Sequence, residues 1–176
     1  ARKVVLNAKM RRTGTCNSTE TILCDKAVSK TILPAVLDDL LQSGCEVRGD
    51  EQTQTVDSRV APATKEDWDT EYLAPIVSVK IVENIDEAVE HIARHSSHHT
   101  ESILTENAAA AEKFLNEVDS AVVMVNASTQ FCDGGEFGMG AEIGIATGRL
   151  HARGPVGLEQ LTTFKYQVRG DGQIRP

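Results

Sequence analysis

The sequence predicts an α/β fold with a largely parallel sheet flanked by helices. Short apolar runs such as "TILC", "IVSVKIV" and "AVVMV" alternate with segments of helical periodicity. That rhythm is typical of βαβ units with right-handed crossovers. Aromatic residues make up only 4% of the 176 residues, so aliphatic side chains must build the core. The length is sufficient for one domain with a core of its own.

The first elements follow from apolar spacing and from helix-capping residues. Residues 2–12 are ambiguous between helix and strand, and we favour a helix. A short buried strand is predicted from about Glu20 to Cys24. From Val28 onward, apolar side chains recur at helical spacing, with Pro34 in the first turn and Gly44 at the C-cap. These signals predict a strand–helix unit.

The middle of the chain predicts a second unit. Residues 44–73 are mostly polar and indicate a short strand near Val47, followed by a long surface excursion. A strand running through Val82 comes next, and Asn84 or Asp86 can cap the helix after it.

The third unit is a strand at "ESILT", an alanine-rich helix over 107–118 and "SAVVMVN", the clearest buried strand in the sequence. The glycine-rich segment 133–148 lacks the G-x-G-x-x-G dinucleotide fingerprint. Gly140, Gly144 and Gly148 are spaced four residues apart, which would let a helix pack closely against a neighbour.

The C-terminal segment, residues 161–176, alternates like an edge strand but has no hairpin partner nearby. Unpaired strands promote association, so we expect it to pair with another subunit or with sequence outside the chain. We therefore predict a domain over residues 1–160 and an oligomerisation strand and tail over 161–176. The chain begins without methionine and enters periodic sequence at once, which suggests part of a larger protein.

Charge and composition exclude several classes of function. The formal net charge of −8 argues against nucleic-acid binding, which depends on Lys and Arg. No apolar run approaches the ~20 residues of a membrane span, and no signal-peptide pattern opens the chain. The four cysteines form no C-x-x-C pair, so we expect reduced thiols and a cytoplasmic protein.

The histidines do not predict a metal site. His91 and His95 are four residues apart on one helix face, but the H-E-x-x-H pattern is absent. Histidines near a helix C-terminus also interact favourably with the helix dipole. We predict no bound metal.

Cys16 follows Gly14 and a basic stretch in "AKMRRTGTC". A thiolate is the nucleophilic form of cysteine, and Lys9, Arg11 and Arg12 would lower the pKa of Cys16 if they pointed toward it. Local context leaves two possibilities open, a nucleophile or an ordinary structural thiol.

Polar side chains follow the strand "AVVMV". In parallel sheets, ligands bind beyond the carboxyl ends of the strands, where Asn126, Ser128 and Thr129 would present donors. The alternative is a cap for the next turn. Arg153 of "HARGP" is a planar cation suited to a carboxylate or phosphate, or else it forms a surface ion pair.

Several ordered segments together resemble the gamma-glutamyl phosphate reductases, a family within the aldehyde dehydrogenase superfamily. The resemblance covers nearly the whole chain and rests on "NAKMRRTGTC", "GCEVRGD", "EDWDTEYLAPIVSVKIV", "SHHTESILTEN", "VDSAVVMVNASTQF" and "GGEFGMGAEIGIATGRLHARGPVGLEQLTTFKYQVRG". One departure is His98, which stands where the family pattern commonly has glycine before the histidine matched by His99. The resemblance implies an aldehyde dehydrogenase-like catalytic domain over residues 1–160.

The resemblance also implies functional residues. It places the family's catalytic cysteine at Cys16, and it matches Glu71 to the glutamate that contacts the nicotinamide ribose. The loops "NAST" and "HARGP", with Asn126, Ser128, Thr129 and Arg153, correspond to parts of the substrate pocket.

The activity implied is NADPH-dependent reduction of L-glutamyl 5-phosphate to L-glutamate 5-semialdehyde, through a thioester on Cys16, in proline biosynthesis. NADP would be bound mainly by a dinucleotide-binding domain that precedes this region in the superfamily, so the chain alone is expected to be inactive. The expected partners are a small-molecule substrate and further copies of the chain.

Two other functions remain open from the residues. A cysteine acyltransferase or hydrolase would act without a nucleotide and would need a base such as His99 or His151 beside Cys16. A non-enzymatic oligomerisation module would use the terminal strand, and its function would not depend on Cys16.

Overall fold

The computed structural model describes all residues from Ala1 to Pro176. Two short 3₁₀ turns, at Glu66–Asp69 and Thr129–Phe131, accompany six helices and eight strands. In chain order these are α1 (Arg2–Met10), β1 (Thr21–Asp25), α2 (Lys26–Ser29), α3 (Leu33–Gln42), β2 (Glu46–Gly49), α4 (Glu51–Val56), β3 (Ala61–Pro62), β4 (Ile76–Val82), α5 (Ile85–His95), β5 (Thr100–Ile103), α6 (Ala108–Glu117), β6 (Val122–Val125), β7 (Ile145–Ala146) and β8 (Gly154–Pro155).

The larger sheet is entirely parallel, with strand order β1-β4-β2-β3. Its central strand β4 is buried along most of its length, as expected for a Val- and Ile-rich strand covered on both faces. The core lies between this sheet and α3, whose Leu33, Val36, Leu37 and Leu40 are buried. The predicted parallel α/β architecture and the α1 helix are therefore confirmed.

A second, two-stranded parallel sheet pairs β5 with β6. Asn84 caps α5 and Asn107 caps α6, each by accepting hydrogen bonds from two backbone N–H groups of the first turn. The prediction that β6 is the clearest buried strand is wrong, because all four of its residues are only half-buried and β4 is buried more completely. Within the chain, β6 has a neighbouring strand on one side only.

Two sequence-based boundaries also need correction. The single helix expected from Val28 is two helices, because Asp25 caps the short α2 and Pro34 stands in the first turn of a separate α3. The surface excursion expected over 44–73 contains α4, β3 and a 3₁₀ turn, and Thr53 and Asp67 within it are buried. The sequence did not indicate this burial, because buried polar side chains that hydrogen-bond to each other leave no apolar pattern in the sequence.

The glycine-rich region does not form the expected close-packing helix. Gly140 and Gly144 adopt positive φ angles of 82° and 159°, and the short antiparallel pair β7–β8 follows. Residues 161–176 are exposed and form no strand with the rest of the chain. Pairing of this segment with other sequence stays a prediction.

Candidate active site

Cys16 lies exposed on the loop that joins α1 to β1. The hydroxyl of Thr15 lies 2.8 Å from Asn17 Oδ1, and the Asn17 amide donates to the carbonyl oxygen of Cys132 at 3.1 Å. The residues on both sides of Cys16 are thus tied in place, and Asn17 reaches a segment more than a hundred positions away in sequence.

Gln130 fixes the same loop from the side of the second sheet. Its buried side-chain amide donates to the carbonyl oxygens of Ala8 and Arg12, each at 3.2 Å, and its Oε1 accepts from Arg11 at 3.3 Å. A single side chain therefore joins the end of α1 and the start of the Cys16 loop to the turn after β6.

The electrostatic surroundings of Cys16 are acidic. Partial burial, Glu142 and Glu71 raise the pKa of the Cys16 thiol, and the backbone N–H groups of Cys16 and Asn17 oppose that shift. These two N–H groups therefore favour the thiolate form of Cys16.

Two of the three basic residues before Cys16 are paired with groups other than its sulfur. Lys9 is fully buried and pairs with Glu20, with Nζ 2.6 Å from Oε2, and Arg11 is held by Gln130. Arg12 is exposed. The condition for a pKa-lowering basic cluster, that these side chains point toward the sulfur, is not met for Lys9 and Arg11.

Glu20 also joins the Cys16 loop to the segment that carries Glu71. Its Oε1 accepts from the backbone N–H of Leu73 at 3.3 Å. Glu71 itself is exposed and has no side-chain hydrogen bond or ion pair within the chain, so both its carboxylate oxygens are free.

A network of polar side chains holds the segment around Glu71 in place. The Tyr72 hydroxyl donates to Asp67 at 2.7 Å and lies 2.8 Å from the Ser78 hydroxyl, and Arg48 donates to Asp67 at 2.8 Å. Although burial raises the pKa of Asp67, hydrogen bonds from Thr64, Tyr72 and Arg48 lower it to about 2. The carboxylate is thus ionised and anchors the residue next to Glu71.

His99 and Cys132 form the opposite side of the site. His99 Nδ1 lies 2.7 Å from the Thr100 hydroxyl, and Thr100 lowers the pKa that burial raises at the Cys132 thiol. The other ring nitrogen, Nε2, is buried and has no partner. Burial lowers the pKa of His99, while Glu142 and Glu71 act in the opposite direction.

These groups lie at the amino ends of the parallel strands. Cys16 precedes β1, Glu71 precedes β4 and His99 precedes β5. Asn126 instead follows the carboxyl end of β6, four residues or about 13 Å along the strand from Val122. The site therefore lies at the edge opposite to the one from which the sequence argument started.

The three polar residues after β6 have partners within the chain. The Asn126 side chain accepts from Thr105 N at 2.9 Å and donates to Thr105 O at 2.8 Å. Ser128 caps the Thr129–Phe131 turn, which is the alternative left open above. The Thr129 hydroxyl lies 3.1 Å from that of Thr19, and so meets the Cys16 loop.

Arg153 is an ion-pairing residue in this structure. Its Nη2 lies 2.7 Å from Asp119, which also pairs with Arg149, while its Nε is buried and has no partner. Asp119 precedes β6 and Asn126 follows it, so Arg153 and Asn126 lie at opposite ends of that strand.

Sequence reasoning missed the groups that assemble the site. Glu142 lies in the glycine-rich loop, where its carboxylate accepts from Gly134 N at 2.7 Å, and Gln130 and Asn17 act through contacts across the chain. None of them belongs to a short motif that would single it out.

The residues 1–176 contain no group of three or more His, Cys, Asp or Glu side chains placed to hold a metal ion. His91 and His95 stack side by side, with ring centroids 4.6 Å apart. None of the helices combines the length and the apolarity needed to cross a bilayer.

Fold and site together define a parallel α/β domain with an exposed cysteine held between two sheets. Residues 55–166 match the family model described as "Aldehyde dehydrogenase family", and the chain belongs to that family.

Among its relatives, the gamma-glutamyl phosphate reductase of Rhodospirillum rubrum is 70% identical over the whole chain, which covers 41% of that protein. The one from Bradyrhizobium diazoefficiens is 62% identical over the whole chain, which covers 40% of it. The resemblance seen in the sequence is thus confirmed, and the chain spans about two fifths of the length of these relatives.

Two solved structures are similar to this chain. The gamma-glutamyl phosphate reductase of Thermotoga maritima is 52% identical with a TM-score of 0.96, over 99% of this chain and 42% of that one. An acetylating aldehyde dehydrogenase from Geobacillus thermoglucosidasius, at 17% identity, has a TM-score of 0.67 over 97% of this chain and 48% of that one. The second likeness concerns the fold alone.

Proposed function

We propose that this chain is the cysteine-bearing catalytic part, over residues 1–160, of an NADPH-dependent reductase. The reductase converts L-glutamyl 5-phosphate to L-glutamate 5-semialdehyde and phosphate in proline biosynthesis, in the cytoplasm. The observation that carries the proposal is the exposed Cys16, held by Asn17 and Gln130 beside Glu71, in a chain 70% identical to a gamma-glutamyl phosphate reductase over its full length.

Cys16 supplies the nucleophile. Its sulfur attacks the acyl carbon, phosphate departs and a thioester forms on Cys16. The backbone N–H groups of Cys16 and Asn17, which already oppose the rise in the thiol pKa, are donors for the negative charge that develops beside the sulfur. Reduction needs no water to release the product.

The nicotinamide cofactor fits the free carboxylate of Glu71. Two unpaired carboxylate oxygens can accept hydrogen bonds from the ribose hydroxyls, and the Tyr72–Asp67 network holds that segment near Cys16. When bound, NADPH supplies the hydride that reduces the thioester carbon. We propose that most of its contacts lie outside residues 1–176, so that the chain alone is inactive.

Substrate binding is proposed for the loops after β6 and around Arg153. Since the side chains of Asn126, Ser128 and Thr129 have partners, they would shape the loop and offer their remaining hydrogen-bonding capacity. Arg153 has an unpaired buried Nε, which suits a phosphate or a carboxylate oxygen.

The proposal includes assembly into a homo-oligomer through residues 161–176. Phe164, Tyr166 and Val168 are 77%, 85% and 91% exposed, and a row of exposed apolar side chains at alternate positions favours pairing with a partner. Deleting residues 161–176 should convert the oligomer to a smaller species in sedimentation, and an unchanged assembly would contradict this part.

The test uses a protein with the length of the relatives. We expect phosphate-dependent NADP⁺ reduction with glutamate 5-semialdehyde, and we expect Cys16→Ser to abolish it while Cys24→Ser, at another thiol of the same domain, preserves it. Retained activity in Cys16→Ser would reject the nucleophile. Nucleotide-independent ester hydrolysis by the isolated chain would instead favour a cysteine hydrolase.

A further inference from the structure

We propose that Gln130 is a positioning residue for the reaction of Cys16, and that its side-chain amide supports the chemical step without binding the substrate. This inference rests on the proposed function. Gln130 acts through the loop between α1 and β1, residues 11–20, which carries the sulfur. Gln130 itself lies on the 3₁₀ turn after β6, the outer strand of the second sheet.

The parts of the chain that hold the two sheets are joined by hydrogen bonds at one place. Every hydrogen bond between residues 1–82 and residues 98–176 connects residues 8–19 to residues 129–132. The Gln130 side chain makes three of these bonds. The position of the cysteine loop relative to the second sheet therefore depends strongly on this one amide.

The Gln130 amide also begins a closed path of contacts around Cys16. Its Nε2 donates to Arg12 O at 3.2 Å, and the Thr15 hydroxyl lies 3.0 Å from the same carbonyl oxygen. Thr15 Oγ1 lies 2.8 Å from Asn17 Oδ1, and Asn17 Nδ2 donates to Gln130 O at 3.5 Å. The path returns to Gln130, and it passes through both sequence neighbours of Cys16. Their placement is therefore tied to Gln130.

The chemistry of the amide suits this role. A glutamine amide carries two N–H donors and one oxygen acceptor in a single plane. The nitrogen faces the carbonyl oxygens of Ala8 and Arg12, each at 3.2 Å, and the oxygen faces the Arg11 guanidinium at 3.3 Å. Gln130 is only 6% exposed, so water competes little for these bonds. A hydrocarbon side chain of the same length would make none of them.

The amide contributes more to position than to folding, because both carbonyl oxygens have a second partner. Ala8 O also accepts from Thr19 N at 3.1 Å, and Arg12 O has the Thr15 hydroxyl at 3.0 Å. Loss of the amide therefore leaves neither oxygen without a donor, which limits the loss of stability. The distance between loop and turn is what changes. A displacement of about 1 Å at a reacting group can lower a catalytic rate by about 10²-fold.

The experiment measures Gln130→Met in a protein with the length of the relatives, by phosphate-dependent NADP⁺ reduction with glutamate 5-semialdehyde. Methionine keeps the length of the side chain but has no N–H donor. We expect kcat to fall by about 10-fold to 10²-fold with KM unchanged, because alignment is lost and substrate binding is not. The matched control is Gln54→Met. The Gln54 amide donates to Gly49 O at 3.1 Å, within the first sheet, so its loss should leave kcat unchanged.

Hydrogen–deuterium exchange in the same proteins tests directly whether Gln130 holds the cysteine loop. Gln130→Met should raise the deuterium uptake of residues 12–19 and leave the uptake of β4 unchanged. If Gln130→Met shows no cooperative unfolding in urea, Gln130→Glu takes its place with the same expected results. The ionised carboxylate keeps the shape and the acceptor for Arg11, but it has no donor for the carbonyl oxygens.

An unchanged kcat in Gln130→Met would overturn the inference. A higher KM at unchanged kcat would overturn it too, since Gln130 would then contact the substrate. A uniform rise in uptake over the whole chain would show a general structural role and would equally reject it. A parent protein without phosphate-dependent activity would overturn the proposed function and the expected effect on its rate, whereas unchanged uptake of residues 12–19 would overturn the positioning role alone.

Discussion

The ion pair between Lys9 and Glu20 offers a direct test of how the Cys16 loop is anchored. Glu20→Gln removes the negative charge but keeps an acceptor for the backbone N–H of Leu73. Lys9 is then left as a fully buried ammonium, 6.0 Å from the Tyr72 ring centroid, without a counter-charge. We expect this variant to unfold more readily than the unsubstituted chain.

The burial of Lys9 and the partial exposure of Glu20 determine the expected loss of stability in each variant. Breaking a buried pair by removing one partner destabilises a protein by about 3–5 kcal/mol, because the remaining charge is desolvated. Lys9→Met should be milder, at about 1–3 kcal/mol, since Glu20 keeps 18% exposure and its bond to Leu73. In the double variant, which combines Lys9→Met with Glu20→Gln, no unpaired charge remains. Its loss of stability should therefore be smaller than the sum of the two single losses, by a coupling energy of about 2 kcal/mol.

Urea unfolding of the 176-residue chain gives all four corners of this cycle, provided that the slope with denaturant is unchanged. The matched control is the pair between Lys26 and Glu83, which has the same 2.6 Å distance but side chains 52% and 58% exposed. Glu83→Gln should change the free energy of unfolding by about 0.5 kcal/mol or less. A loss in Glu20→Gln no larger than that would refute the reasoning.

Three further outcomes are expected. Gly49→Ala should destabilise the chain by about 1–3 kcal/mol in urea unfolding, since a methyl group there would lie 2.7 Å and 2.8 Å from two neighbouring side chains; an unchanged midpoint would contradict it. Asp67→Asn should cost about 2 kcal/mol above pH 4, because the folded pKa of Asp67 is depressed to about 2. That difference should fade as the pH falls toward 2, whereas a deficit that is constant with pH would rule out the linkage. Glu142→Gln should speed alkylation of Cys16 by iodoacetamide at neutral pH, since Glu142 raises the thiol pKa, while Glu136→Gln in the same loop leaves it unchanged; equal rates would disprove the electrostatic coupling.

The parallel architecture was predictable because apolar periodicity reports on burial. The strands through Cys24 and Val82 carry that periodicity, and both occur where the sequence indicates. Thr53 and Asp67 are buried without it, because their polar atoms are satisfied by partners that only the folded chain brings near. Burial of such polar residues therefore cannot be predicted from the periodicity of the sequence.

The candidate site was predictable only in part, for a related reason. The resemblance indicated Cys16 and Glu71 as site residues, and Glu71 is one of the groups that raise the pKa of the Cys16 thiol. The expected role of the basic residues did not follow, since Lys9 is used by Glu20. Contacts across the whole chain, such as that of Gln130 with Arg12, depend on tertiary structure alone.

The link that Gln130 makes between the turn after β6 and the Cys16 loop has a consequence for how this site can diverge. Apolar packing lets two elements slide past each other when a methyl group is gained or lost, whereas hydrogen bonds keep their length and direction. Substitutions around the pocket should therefore reshape its walls long before they displace the sulfur. Substitutions in the pocket walls can therefore change the substrate while the position of Cys16 is kept. The condition is that the Gln130 side chain keeps its hydrogen bonds with Ala8, Arg11 and Arg12.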